Sequence, residues 1–189
     1  MKFSTLMFAA AFVASPVTAF ADSYALDPSH THVGFKISHL GFSETYGNFE
    51  DVEGTLELDD KKPEDAKLEV TVKTKSLDSG FDARDEHVEG KDFLNVEEFP
   101  TMSFKSTKVT RTGEATADVT GDLTLHGVTK PLTLKVTLNK LGENPMSKKD
   151  IAGFSATGML KRSDYGITTY LPAIGDEVTL MISSEAGRK

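Results

Sequence analysis

Three histidines fall within the stretch HTHVGFKISH, at His30, His32 and His39. Histidine ligates metals and carries protons near neutral pH, so this spacing is the first place to look for chemistry. Read as an extended strand, His30 and His32 share a face. His39 has the parity of Val33, Phe35 and Ile37 and falls on the apolar face, roughly 30 Å from His30 at about 3.3 Å per residue. One strand cannot bring all three to one ion. A third ligand would have to come from His87, His126 or a carboxylate elsewhere, and no second cluster marks itself, so no metal site is expected. Asp27 and His30 read instead as a polar anchor where the first strand begins. His39 reads equally as a hydrogen-bonded core histidine or as a ligand contact.

Other chemistry is thinly supported. The chain has no cysteine, which removes thiolate catalysis, cysteine metal sites and disulfides. It has no G-x-S-x-G elbow, no H-E-x-x-H and no phosphate- or dinucleotide-binding glycine pattern. Acids are plentiful, yet no pair stands out as a general acid and base; a pair meeting across a barrel mouth is a geometry that sequence does not reveal. No catalytic residue is expected, and the chain does not read as an enzyme. A net charge of −8 argues against nucleic acid or an anionic lipid surface as the main partner.

The elements that must position any site are strands. Leu68, Val70 and Val72 alternate with Glu69, Thr71 and Lys73. The same period-two pattern runs through Val119 to Leu125, Leu132 to Leu138, Phe154 to Leu160 and Val178 to Ile182. Turn signals at Asp59-Asp60 with Pro63, Thr112-Gly113, His126-Gly127 and Gly142 to Pro145 separate about eight such segments. The pattern predicts an all-β antiparallel fold, either a closed barrel or a sandwich. Phe49 is odd in parity while Val52, Gly54, Leu56 and Leu58 are even, which predicts a bulge or bend near Glu50-Asp51. Residues 79–95 lose the period and predict a short helix with Asp82 as N-cap and Asp85 at N3.

The N-terminus carries Lys2, an apolar run from Phe3 to Val13, and Ala19-Phe20-Ala21. This predicts a signal peptide over residues 1–21, cleaved after Ala21. Residues 22–189 are then expected to form a single domain.

Alternation does not say which way the apolar faces point, because membrane barrels alternate too. The polar face decides it. Glu69, Lys73, Lys75, Lys135 and Glu177 would meet lipid in an inverted barrel, and there is no tryptophan. Apolar faces therefore point inward. Gly54, Gly121, Ala156 and Gly158 on those faces leave room unless bulky neighbours refill it, so a ligand tunnel and a packed core both remain open.

Four stretches carry a resemblance: HVGFKISHLGFSETYGNFEDVEGTLELD, ARDEHVEGKDFLNVEEFPTMSFKST, GDLTLHGVTKPLTLKVTL and AGFSATGMLKRSDYGI. In this order, over nearly the whole mature chain, they resemble the YceI-like family of bacterial periplasmic polyisoprenoid-binding proteins. The resemblance implies an extended, lipocalin-like antiparallel barrel of about eight strands with a hollow lumen. It implies a ligand of the polyprenyl phosphate or quinone type and no separate cofactor. It also implies a periplasmic location and points to a membrane cytochrome of the b561 kind as a partner; a homodimer through edge strands is a further expectation. On this reading Phe35, Ile37, His39, Leu56, Leu58, Val70, Val72, Phe104, Leu123, Leu125 and Phe154 line the lumen. Arg84, His87 and Arg162, with His39, are the candidate head-group contacts. The rival readings are an enzyme acting on a hydrophobic isoprenoid substrate and a packed, ligand-free interaction domain.

Overall fold

Period-two segments become strands in the computed structural model, which describes residues 21–189. The segment read as a signal peptide therefore lies outside the described residues, apart from Ala21. The strands are β1 (Asp22–Leu26), β2 (His32–His39), β3 (Ser43–Phe49), β4 (Val52–Leu58), β5 (Lys67–Lys73), β6 (Leu77–Asp78), β7 (Thr101–Arg111), β8 (Thr116–Leu125), β9 (Val128–Glu143), β10 (Asp150–Lys161) and β11 (Ile174–Arg188). One helix, α1 (Asp82–Glu89), lies between β6 and β7.

Three long strands are interrupted: β1 continues into β2, β3 into β4 and β5 into β6. β1 and β2 both pair with β11, β4 pairs with β1 and β5, and β3 pairs with β2 and β6. The outcome is eight long antiparallel strands, each beside its chain neighbours. Pairing of Leu26 with Ala186 closes the ring. This is a closed up-and-down barrel, but its ladder thins towards the α1 end, where Ser43–Gly47 of β3 and the two-residue β6 each pair on one side only.

The interruptions have local causes. Pro28 lacks an N–H, and the Asp27 side chain accepts from the Ser29 amide at 2.9 Å, so the chain makes a 3₁₀ turn at Pro28–His30. His30 sits in that turn and His32 begins β2, so the two do not share a strand face as expected. The anchor does form: His30 Nδ1 lies 2.9 Å from Asp27 Oδ2. The parity break at Glu50-Asp51 is the gap between β3 and β4. Both amides donate to Ser76, Glu50 to its carbonyl at 3.1 Å and Asp51 to its Oγ at 3.0 Å. Two further register shifts, at Thr107 on β7 and Asn139 on β9, were not expected. They switch the inward parity from Phe104 to Val109 and from Leu138 to Leu141.

The helix forms where the period is lost, but its cap differs. Phe81 is the N-cap and makes no side-chain bond; Asp82 lies inside the first turn. Asp85 turns back to accept from Ser79 N–H at 3.0 Å and from Ser79 Oγ–H. Arg84 donates to the same residue, from Nε to Oγ and from Nη2 to the carbonyl, both at 2.6 Å. No side chain caps the helix amides: those of Arg84 and Asp85 donate to the Phe81 carbonyl, and Ser79 ties the Asp85 and Arg84 side chains to the chain that enters the helix.

Because neighbouring strands run in opposite directions, their connections alternate between two ends. The β2–β3 turn, the 79–100 segment with α1, the His126-Gly127 turn and the 162–173 segment share one end. The 59–66, 112–115 and 144–149 connections share the other.

Candidate functional site

Inward side chains of a packed barrel would be almost fully buried. Val33, Phe35, Ile37, Val70, Val178, Leu180 and Ile182 point inward yet are only half-buried. The buried core splits into three clusters, around Leu123 and Leu134, around Tyr24 and Leu56, and around Phe49 and Val52. Between them lies a cavity of about 760 Å³, lined from all the long strands. The barrel is hollow, which separates the tunnel from the packed reading.

The small inward residues do not supply this space. A Cβ at Gly121 would stand 2.4 Å from Phe104 Cζ, one at Gly54 2.6 Å from Leu26 Cδ1, and one at Gly158 2.7 Å from Leu134 Cδ2. Ala156 is buried within the first cluster. Large neighbours lie flat over the small residues and refill the gaps, contrary to the idea that glycine leaves room. Gly47, under the ring of Phe35 at 2.4 Å, follows the same rule. The room comes from circumference: an eight-stranded ring encloses space for one small ligand.

Every candidate lumen residue borders this cavity. Leu56, Leu58, Val72, Phe104, Leu123 and Leu125 form its buried wall, while Phe35, Ile37, Val70 and Phe154 present more of their surface to it. His39 lies at the rim of the α1 end, exposed and paired in register with Ile174. It is not a core histidine. Among the described residues no three His, Asp or Glu side chains converge on a point that could hold an ion.

Arg84, His87 and Arg162 join His39 around the same end of the cavity. Arg162 is buried at 4 % exposure. Its Nε donates to Gly175 O at 2.8 Å, Nη1 to Ile167 O at 3.0 Å and Nη2 to Ile174 O at 2.9 Å. Burial lowers its pKa from the usual guanidinium value, with Asp176 opposing that shift. Arg162 is therefore neither a surface residue nor a free cation. Its guanidinium clamps the start of β11 and stands 6.0 Å over the ring of Phe93. His87 meets Phe93 and Tyr170 edge-on, with centroids 5.3 and 6.2 Å away.

Two features of this mouth bear on what enters. Phe42, Phe81, Tyr170 and Leu40, in the segments that frame it, are 91, 60, 57 and 53 % exposed. The segment over it, residues 82–98, carries Asp82, Asp85, Glu86, Glu89, Asp92, Glu97 and Glu98 against Arg84 and Lys91. The rim is thus apolar at its lip and acidic around it. The opposite end of the cavity is lined by Asp60, Pro63, Arg111 and Glu114.

Sequence reasoning passed over Thr31, Phe93, Tyr170 and Ser184, all of which line the cavity. Ser184 was within reach, since it continues the inward row Val178, Leu180, Ile182. Phe93 and Tyr170 lie in irregular segments without a period, and no pattern marks them.

A family model for the YceI-like domain matches residues 24–186. Protein YceI of Escherichia coli O6:H1 is 42 % identical over 187 residues, covering 98 % of this chain and 94 % of that protein. A UPF0312 protein of Pseudomonas savastanoi pv. phaseolicola is 49 % identical over 151 residues, 79 % of this chain and 78 % of the relative. The solved YceI protein of Campylobacter jejuni superposes with a TM-score of 0.74 at 34 % identity, over 87 % of this chain and 96 % of that one. A polyisoprenoid binding domain from Saccharophagus degradans shares the fold, with a TM-score of 0.67 at 15 % identity over 90 % of this chain and 100 % of that domain. Barrel, hollow lumen and matching sequence agree: the chain belongs to the YceI-like domain family.

Proposed function

We propose that this chain is a periplasmic binding protein that carries or sequesters a long isoprenoid lipid, of the polyprenyl phosphate or quinone type, in its barrel. The observation that carries this reading is the apolar cavity of about 760 Å³, within the range of roughly 300–1,000 Å³ usual for small-molecule sites. Its lining reaches from His87 and Tyr170 at one end to Arg111 and Glu114 at the other, which suits an extended chain. Burying about 20 methylene equivalents contributes about 16 kcal/mol at about 0.8 each, above most estimates of the association cost. The polyisoprenoid binding relative supports the ligand class, and the N-terminal signal pattern supports the compartment.

The rim favours a neutral head group over a phosphate. Arg84 and Arg162 are already engaged by Ser79 and by backbone carbonyls, and the covering segment is acidic. His39 and His87 remain as polar side chains of the rim. A membrane cytochrome of the b561 kind would serve as delivery partner, and two copies of the chain would associate through edge strands, for which the one-sided stretch Ser43–Gly47 of β3 is available.

The direct test is Leu123→Arg, which puts a cation on the lumen wall. The variant should be secreted and folded, with the extracted lipid per protein sharply reduced. Undiminished lipid in a folded Leu123→Arg protein would contradict this lumen assignment.

A further inference from the structure

The inward row of β11 reads Val178, Leu180, Ile182, Ser184, and that of the β1–β2 strand reads Thr31, Val33, Phe35, Ile37. Ser184 and Thr31 break these apolar rows with hydroxyls that face each other, Oγ to Oγ1 at 2.9 Å. Thr31 is 3 % and Ser184 9 % exposed, and both line the cavity. They are set inside the barrel, where the 3₁₀ turn hands β1 over to β2.

Two hydroxyls facing each other share one hydrogen bond, which uses one proton. The second O–H has no acceptor among the described residues. An unmet buried donor is unfavourable, and a purely apolar pair of similar shape would avoid it. A donor that persists at an apolar wall is available to something that enters the cavity.

We infer that the Thr31–Ser184 pair is a hydrogen-bond donor subsite for a neutral acceptor oxygen of the bound lipid, of the ketone, quinone or ester carbonyl class. Neutrality follows from the surroundings. Phe154 is the cross-strand partner of Ser184 on β10, and the next inward pair towards the α1 end is Val33 with Ile182. The arginines that line the cavity, Arg84, Arg111 and Arg162, lie at its ends and not beside the pair, so a carboxylate or phosphate there would lose its hydration without a counter-charge inside the lumen. A carbonyl oxygen loses little and gains the idle proton. This inference rests on the lipid-binding reading and adds to it a fixed point along the chain of the ligand.

The test compares an isoprenoid ketone, geranylgeranylacetone, with an isoprenoid hydrocarbon, squalene, on the wild type and on the Thr31→Val/Ser184→Ala protein. Removing both partners of a buried bond while keeping their shape is close to neutral for stability. The variant should bind the ketone about three- to tenfold more weakly, with squalene affinity unchanged or improved. Equal changes for both ligands, or none for either, would overturn the inference. A second readout needs no variant: the carbonyl stretch of the bound ketone should fall below its value in hexane, and an unshifted band would also overturn it. Wild type that holds squalene but not the ketone leaves the lipid-binding reading standing and removes the subsite. Wild type that holds neither removes both.

Discussion

Asp27 and His30 hold the corner at which β1 becomes β2, and their titration sets a pH window. The Asp27 carboxyl is held down at about 2, first by the Ser29 hydroxyl and then by His30. His30 is raised from 6.5 by its hydrogen bond to Asp27. A depressed carboxylate contributes stability above its ordinary 3.8 that is lost as pH falls towards about 2. A raised imidazole contributes stability that is complete below 6.5 and is lost as pH rises through its higher folded value. The corner is therefore firmest between those two ordinary values. His30→Gln should lower the thermal midpoint most near about pH 6 and least near about pH 9. A difference that is the same at both would show that His30 acts through packing alone. This pair was legible as an anchor because Asp-Pro-x-His is a local pattern. The role of Arg162 was not legible, because the carbonyls it binds are 5 to 13 residues away across an irregular connection.

At the scale of the elements, wall glycines and aromatic rings work as pairs. Phe35 lies over Gly47 and Phe104 over Gly121, so the wall stays smooth while the ring remains at the cavity surface. Gly47→Ala should cost about 1–3 kcal/mol, since the ring must tilt into the lumen. Combining it with Phe35→Leu should cost less than the two changes summed, because the smaller side chain no longer meets the methyl group. Strict additivity in chemical denaturation would deny the contact. The strands themselves were readable from period two, since each has one wet and one dry face. Their breaks were readable only where parity changed visibly, as at Phe49 and Val52. The slips at Thr107 and Asn139 depend on which residue of the partner strand is opposite, and a single segment does not hold that information. The helix begins one residue earlier than an Asp82 cap would place it, because Phe81 takes the N-cap position without a side-chain bond and so carries no cap signal in the sequence.

At the scale of the whole molecule, the central question is why a chain with this many inward apolar residues does not fill its own interior. The answer lies in closure. Eight long strands and the Leu26–Ala186 pairing fix a circumference, and side chains cover the wall without reaching across it. Packed and hollow barrels share the same alternation, so the sequence alone left both open; the half-buried state of Phe35, Ile37 and Leu180 separates them. An apolar cavity of about 760 Å³ opening at an apolar lip is poorly suited to remain filled with water. The most direct measurement is intact-mass spectrometry under native conditions, on protein purified without detergent from cells that express the full chain, followed by organic extraction. A bound isoprenoid of defined mass, released on denaturation, is the result expected. Protein at its bare mass that also refuses added polyprenyl phosphate and quinone would contradict the carrier function.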